Sequence, residues 1–400
     1  MPRLEASAHT RQHVLEYIQR LAREGLDVAT FLSEVGAAIA RAVPSGTGTM
    51  PTPSWVTVDP TSLLITSVYA EGCEMPIEEV VALEYRSEVP INRVGDVVRH
   101  PRGVQTASEV IGAHPRSAST YVELLRSIGV EHEALVALRT RDGGHWGAVY
   151  VVRGPGWPDF SRAELTFLRE AAVHLAEGVR RGLLIGEASD PEAADTPAIV
   201  VLAEDLTPDS FTPGAQQWLQ DLPNPAHDGL PAALLSVAQE ALAGSRKDRC
   251  GAPTGARVHS SRRGWVMLHG QVLAGNGGQR VAVTIQPAGP DRITPLLMAA
   301  HGLTEREEQV TRHVLQGDST NQIADALCLS PYTVQEHLKN IFDKTDVRSR
   351  RELVSRVFAR HYRPRVDDND ARLKQDRPIR GGPFRAGSTP RDDVAHQEPV

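Results

Sequence analysis

Apolar residues recur at helical spacing from near the start of the chain. Within residues 9–42, Val14, Leu15, Ile18 and Leu21 share one face and Val28, Phe31, Leu32, Val35 and Ile39 share another, which predicts two amphipathic helices ended by Pro44-Ser45-Gly46. Two β-rich runs at 54–58 and 63–69 flank the turn residues Pro60-Thr61-Ser62, as in a hairpin or meander. Helix is predicted around 77–85 and over 119–127, and strand over 131–139 and 145–152. Asp142-Gly143-Gly144 lies between those strands and supplies the positive-φ backbone that closes a hairpin. From Phe160-Ser161 a long amphipathic helix runs to about residue 184, with Ser161 as N-cap and Glu164 as its reciprocal partner. Together these elements predict an α+β domain over 1–185.

Residues 186–196 are small, acidic and aperiodic, which predicts a linker. A second, smaller α+β domain is predicted over 197–290: a strand at 198–202, helices at 213–219 and 230–243, and strands at 257–259, 264–273 and 280–286. Asn276-Gly277-Gly278 joins the last two strands. A connector over 291–302 contains Leu296, Leu297 and Met298, apolar enough to pack. Beyond residue 361 mixed charge, Pro and Gly with few apolar residues predict a disordered tail over 361–400.

Between these lies an all-α segment with four helix starts. Thr304 with Glu307, Ser319 with Gln322, and Ser349 with Glu352 have capping-box spacing, and Ser330-Pro331 supplies an N-cap followed by proline at the first helical position. The apolar faces are Val310, Val314 and Leu315; Ile323, Ala324 and Leu327; Val334, Leu338, Ile341 and Phe342; and Leu353, Val354, Val357 and Phe358. Only Cys328-Leu329-Ser330 separates the second helix from the third, which is helix-turn-helix spacing, and the third helix would enter the major groove.

Composition narrows the chemistry. The 400 residues are 40 % apolar, 23 % charged and 5 % aromatic, a globular composition that excludes collagen, a continuous coiled coil and wholesale disorder. A net charge of −7 rules out coating nucleic acid through the overall field, so any such site is local. Six basic residues (Lys339, Lys344, Arg348, Arg350, Arg351, Arg356) against Asp343, Asp346 and Glu352 place that site in the carboxy half of the helical segment. No apolar run is long enough to span a membrane, and Met1-Pro2-Arg3-Leu4-Glu5 lacks a secretory pattern, so a cytoplasmic chain without a membrane partner is expected. Cys73, Cys250 and Cys328 form no CxxC pair and are expected as small buried residues; no H-E-x-x-H spacing occurs, so neither metal nor cofactor is expected. Glu204-Asp205 follows a strand as a receiver's acidic pair does, but no later phosphate-accepting Asp and Lys accompany it. Trp55, Trp146 and Trp265 fall on predicted strands and are expected in the core.

Leu303-Thr304-Glu305-Arg306-Glu307, Ile323-Ala324, Leu329-Ser330, Thr333-Val334, His337-Leu338-Lys339 and Val347-Arg348-Ser349-Arg350 together resemble the DNA-binding domain of LuxR-type transcriptional regulators. The resemblance implies a domain over 303–360 with the helix-turn-helix at 320–339. It puts Gln335, Glu336 and Lys339 toward bases, Ser319, Thr320, Asn321 and Thr333 toward phosphates, and Asn340 and Lys344 on the same DNA-binding side. It implies dimer contacts on the fourth helix from Arg350, Leu353, Val354 and Val357, and as partners double-stranded operator DNA, a second copy of the chain and RNA polymerase. Two departures stand out. Gln335 and Glu336 suit adenine and cytosine edges rather than guanine, and Asp346 replaces the family's glycine after the recognition helix, at a position whose left-handed backbone Asp tolerates.

The paired amino-terminal helices, Asp142-Gly143-Gly144, Trp146-Gly147 and Phe160-Ser161 resemble a GAF domain, which implies a sensor and a small-molecule ligand. No Asn-Lys-x-x-Asp run points to a cyclic nucleotide. The central strand, short helices and terminal three-strand meander resemble a PAS domain, without a flavin-attaching Cys motif. The expected whole is a multidomain, non-enzymatic regulator whose GAF-like and PAS-like domains sense a small molecule or dimerise and control the helix-turn-helix. Its alternative is an interaction protein whose helix-turn-helix has lost specific DNA binding through Glu336. A hydrolase on the GAF-like fold would need a Ser/His/Asp or Cys/His arrangement, and none is spaced for it.

Overall fold

The computed structural model describes residues 6–72, 81, 84–85, 92–114, 118–185, 197–223, 230–246, 254–260, 264–273, 278–288, 298, 301–361 and 374. The expected linker over 186–196, residues Leu296 and Leu297, Cys73, Cys250 and, apart from His361 and Lys374, the tail lie outside this set. So does most of the helix expected over 77–85, of which Val81, Glu84 and Tyr85 are described and are helical.

The chain opens with α1 (Ala8–Leu21) and α2 (Val28–Ala42), started by Ser7 and Asp27, whose side chains accept from the amides of Thr10 and Thr30. A five-stranded antiparallel sheet follows, built from β1 (Ser54–Val58), β2 (Ile65–Tyr69), β3 (Val104–Thr106), β4 (His132–Arg139) and β5 (His145–Arg153), in the order β2-β1-β5-β4-β3. Short helices α3 (Val94–Arg99), α4 (Ala107–Ala113) and α5 (Ser119–Ser127) precede β4, and α6 (Arg162–Ile185) closes the domain. The period-two pattern of the strands divides two cores. Ala134, Val136, Leu138, Val149 and Val151 pack with α1, α2 and α6, whereas Leu135, Ala137 and Ala148 pack with α3. α3, β3 and α4 occupy the stretch where no pattern was legible; each has three to seven residues, too short for a periodicity to declare itself.

Two local demands fix this domain. Arg153 is buried, and its guanidinium donates to Glu164 Oε1 at 2.6 Å and to the carbonyls of Pro44, Pro158 and Asp159, so its charge is paired and its N–H groups are occupied. The same Glu164 accepts from Ser161 N at 2.8 Å, as the capping spacing predicted. Gly147 pairs with Thr57 at φ +155°, where any Cβ would overlap the Val56 carbonyl, so only glycine lets β1 and β5 approach there.

The central domain repeats the arrangement: β6 (Ala198–Ala203), β7 (Pro208–Phe211), α7 (Ala215–Asp221), α8 (Ala232–Arg246), β8 (Thr254–Ser260), β9 (Gly264–Leu273) and β10 (Arg280–Pro287) form a sheet of order β7-β6-β10-β9-β8. Position by position this is the strand order of the first sheet. β7 was not expected; it is an exposed edge strand beginning with proline and shows no alternation of burial. Gly278 has the positive φ (+91°) of the expected hairpin turn, while Asn276 and Gly277 lie outside the described residues.

The two sheet domains share a core. Every residue from Pro231 to Gln239 is buried, because α8 packs on its own β8, β9 and β10 and also on β2 of the first domain. Leu64 and Val81 join the central core, and Ala232 joins the first. Tyr85 packs against the central core, and its Oη accepts from Ile65 N at 3.0 Å. Arg257 on β8 grips Asp59, at the end of β1, with three bonds of 2.8 Å.

The last domain is all-α: α9 (Glu305–Gln316), α10 (Thr320–Leu327), α11 (Pro331–Thr345) and α12 (Arg350–His361). Met298 is buried in its core, so this part of the connector packs as expected. At Gly302, a Cβ would lie 2.7 Å from both Asp142 Oδ2 and Arg180 Nη1, so the β4–β5 turn and α6 abut the entry to the helical domain.

Gly178 lies within α6 where a methyl group would overlap the ring of Phe31, itself 1 % exposed. Gly178→Ala gains about 1 kcal/mol of helix propensity but overpacks this contact at a cost of about 1–3 kcal/mol. A lowered urea midpoint is expected; an unchanged or raised one would show that α2 and α6 are not held this closely.

Candidate nucleic-acid interface

Each helix of the carboxy-terminal domain starts on a side-chain cap. Thr304 Oγ1 accepts from Glu307 N at 3.3 Å while Glu307 Oε2 accepts from Thr304 N at 2.8 Å. Ser319 and Gln322 repeat the reciprocal pair at 3.3 and 2.7 Å. Ser330 accepts from Thr333 N at 3.0 Å, and Pro331 takes the first helical position. At α12, Ser349 accepts from Glu352 N at 3.1 Å, but the Glu352 carboxylate takes the amide of Arg348 at 2.8 Å, one residue earlier than the expected box.

α10 ends on Cys328 in the left-handed conformation (φ +54°), and Leu329 N donates back to Ala324 O at 2.8 Å, which turns the chain into α11 within three residues. Cys328 is therefore exposed, correcting its expected burial: as the cap of the turn its side chain faces solvent. α11 ends on Asp346, also left-handed (φ +52°), with Val347 N bonded to Phe342 O at 3.0 Å. The turn survives the missing glycine.

Val334, Leu338 and Ile341 turn the inner face of α11 onto Val310, Val314 and Ile323. The outer face carries Gln335, Glu336, Lys339 and Asn340, all exposed, while Thr333 is half-buried. Ser319 and Asn321 are exposed and Thr320 half-buried at the start of α10. Tyr332, 72 % exposed, heads the same outer stripe at helical spacing from 335, 336 and 339; it was not singled out from the sequence, although helical phase opposite Val334 would have found it.

Lys344 Nζ donates to Glu307 Oε2 at 2.7 Å, so this basic residue braces the end of α11 against the start of α9. Arg350 donates to the carbonyl of Asp318, tying α12 to the turn before α10. Leu353 is 2 % exposed and belongs to the domain's own core, whereas Val354, beside it, is 37 % exposed. The side chain of Val357 lies outside the described set.

Comparison with known proteins matches residues 301–357 to the family described as bacterial regulatory proteins, luxR family, and residues 16–179 to the GAF domain. The chain carries a luxR-family domain and a GAF domain. Over 56 residues it is 46 % identical to the monoamine regulon transcriptional regulator of Klebsiella aerogenes, a match that covers 14 % of this chain and 25 % of that regulator. Among solved structures, the phycoerythrobilin-bound GAF domain of a cyanobacterial phytochrome is 16 % identical, with 44 % of this chain and 96 % of that one covered and a TM-score of 0.28. Escherichia coli SdiA is 12 % identical over 87 % and 95 % of the two chains, with a TM-score of 0.29. Likeness at those TM-scores does not bear on function.

In the luxR-family domain, burial alone would raise the Glu307 carboxyl, but Lys344 and the Thr304 cap outweigh it and hold it below its ordinary value. In the GAF domain, Glu133 accepts from Tyr121 Oη at 2.5 Å and from Asn92 Nδ2 at 2.9 Å, and burial pushes its carboxyl up. Glu84 caps α3, accepting from the amides of Val94 and Gly95 at 3.0 Å, and burial pushes it up to about 7. Trp55 and Trp146 are core residues, 3 % and 0 % exposed, as expected. His9 and His13, four residues apart on α1, stack edge to face at 4.3 Å, a pair missed in the sequence; among the described residues no group of three His, Cys, Asp or Glu could hold a metal ion. Asp205 accepts from the amide and hydroxyl of Thr207, at 2.9 and 2.6 Å, and so serves a turn.

Because Glu307 titrates lower folded than unfolded, its contribution to stability is complete above about 4.5 and is lost as pH falls through the lower folded value. Protection factors of α9 and α11 amides, taken relative to intrinsic exchange at each pH, are expected to fall below that pH. Glu307→Gln should weaken protection at neutral pH and flatten the acid dependence; unchanged protection in this variant would refute the brace.

Proposed function

We propose that this chain is a cytoplasmic DNA-binding transcription regulator that acts as a homodimer and is not an enzyme. Its GAF domain, and a central domain read as PAS-like, sense a small molecule, and its luxR-family domain engages operator DNA and RNA polymerase. The observation that carries the reading is the outer face of α11. A capped helix-turn-helix in a luxR-family match presents Tyr332, Gln335, Glu336, Lys339 and Asn340 on one exposed stripe. A helix with that stripe in the major groove brings Gln335 to adenine N6/N7, Glu336 to cytosine N4 and Lys339 to guanine O6/N7.

In this reading Ser319, Thr320, Asn321 and Thr333, at the amino ends of α10 and α11, meet phosphates, which the helix dipoles favour there. Lys344 contributes positive charge near the groove only when it leaves Glu307. Val354, with Arg350 and Val357, forms the proposed contact between copies on DNA. Support for the central domain as a second sensor is its strand order, which repeats that of the GAF domain. No described helix is long and apolar enough to cross a membrane.

Lys339→Ala is expected to lower operator affinity by about 1–3 kcal/mol, with log K falling steeply against log salt. A binding curve that is unchanged by the substitution and insensitive to salt would support the docking of a protein partner instead. Half-sites should lie about one helical turn apart, so that inserting about five base pairs between them abolishes tight binding; equal affinity for both spacings would sink the dimer.

A further inference from the structure

Tyr332 is the most exposed large apolar side chain among the described residues, at 72 % against 51 % for Phe211, the next. A lone apolar residue on a surface is ordinary. What distinguishes this one is its place: it is the second residue of α11, after Ser330 as cap and Pro331 at the first helical position.

Helical phase gives its direction. At about 100° per residue, Lys339 lies about 20° from Tyr332, and Gln335 and Glu336 flank it by about 60° and 40°. Ile341, 0 % exposed in the domain core, lies nine residues on and half a turn out of phase. Tyr332 is therefore on the midline of the outer stripe, diametrically away from the core. Thr333, the next residue, stands half-buried on the shoulder of the helix, its hydroxyl bonded to Ser330 Oγ at 2.8 Å. Because Cα–Cβ bonds tilt toward the start of a helix, the Tyr332 ring projects at the amino tip of α11, the end that recognition helices present to base edges.

Groove chemistry decides what such a ring can read. Adenine, guanine and cytosine offer hydrogen-bonding groups in the major groove, and the 5-methyl of thymine is the one alkyl group there. Phosphates line the walls, toward which the shoulders of a docked helix face, whereas its midline faces the floor. A ring pressed on a polar base edge strips water without replacing every hydrogen bond, which is costly. Against a methyl group, both surfaces leave water favourably.

We propose that Tyr332 is a specificity-determining residue of the DNA interface, its ring packing on the 5-methyl group of a thymine on the groove floor. The proposal rests on the reading of α11 as the helix in the major groove, and adds a position where the protein reads a methyl group instead of a hydrogen-bond pattern.

The test uses duplexes enriched from a random-sequence library by the full wild-type chain. Each thymine of the enriched site is replaced in turn by deoxyuridine, which pairs identically but lacks the methyl group, and binding is measured for wild type, Tyr332→Ala, Tyr332→Phe and Lys339→Ala. At one thymine, wild type should lose about fourfold in affinity, the value of burying one methyl group. Tyr332→Phe should lose as much there, and Tyr332→Ala, already without the contact, should lose nothing. If no deoxyuridine effect depends on Tyr332, the proposal fails. It also fails if Tyr332→Phe binds as weakly as Tyr332→Ala, because the hydroxyl then makes the contact. Recognition that survives Tyr332→Ala unchanged but is lost in Lys339→Ala removes the thymine contact and leaves the groove helix standing. A library from which the wild-type chain enriches no sequence removes both.

Discussion

The arrangement of the amino-terminal three-quarters of the molecule depends on one buried ion pair. Asp59 and Arg257 are 3 % and 8 % exposed, and both carboxylate oxygens are engaged by the guanidinium, with the Arg257 amide adding a third bond. Taking both charges out of water is costly, so the pair contributes little net stability compared with a well-packed apolar contact. What it imposes is orientation. Breaking a buried pair by taking away one partner costs about 3–5 kcal/mol, so the pair opposes sliding of the two domains past one another.

The carboxy-terminal domain solves a different problem with similar means. Glu307 is at once the reciprocal cap of α9 and the anchor of Lys344 near the end of α11. The recognition helix is therefore referenced to α9 near one end and to α10 through a three-residue turn at the other. Cys328 and Asp346 hold left-handed backbone at the ends of α10 and α11 without glycine. Each accepts local strain, and each restricts the unfolded chain more than glycine would.

Much of this was legible in the sequence because it is local. Caps, turns and helical phase operate within four residues, and Thr304, Ser319, Ser330 and Ser161 all act where their spacing placed them. At α12 the Glu352 carboxylate takes the amide of Arg348, four residues back, in place of that of Ser349. Leu353 and Val354 show the limit of periodicity: adjacent apolar residues at a face boundary look alike until the neighbouring helices are in place. The Asp59–Arg257 pair had no local signal at all, since its partners are 198 residues apart. β7 was invisible because an exposed edge strand carries no alternation.

The repeated sheet order has a kinetic consequence. In both domains the first strand pairs with the last: Trp55 lies opposite Val149, and Ala198 opposite Ile285, each pair roughly ninety residues apart in the chain. Neither sheet can close until its final strand has left the ribosome, and each closure carries the slow loop-entropy cost of non-local pairing. The four short helices at the carboxy end contact near neighbours and nucleate on their own caps, so they should form faster than either sheet. During synthesis the last domain to emerge is the one best able to fold at once, while the strands of the first wait, exposed, for β5.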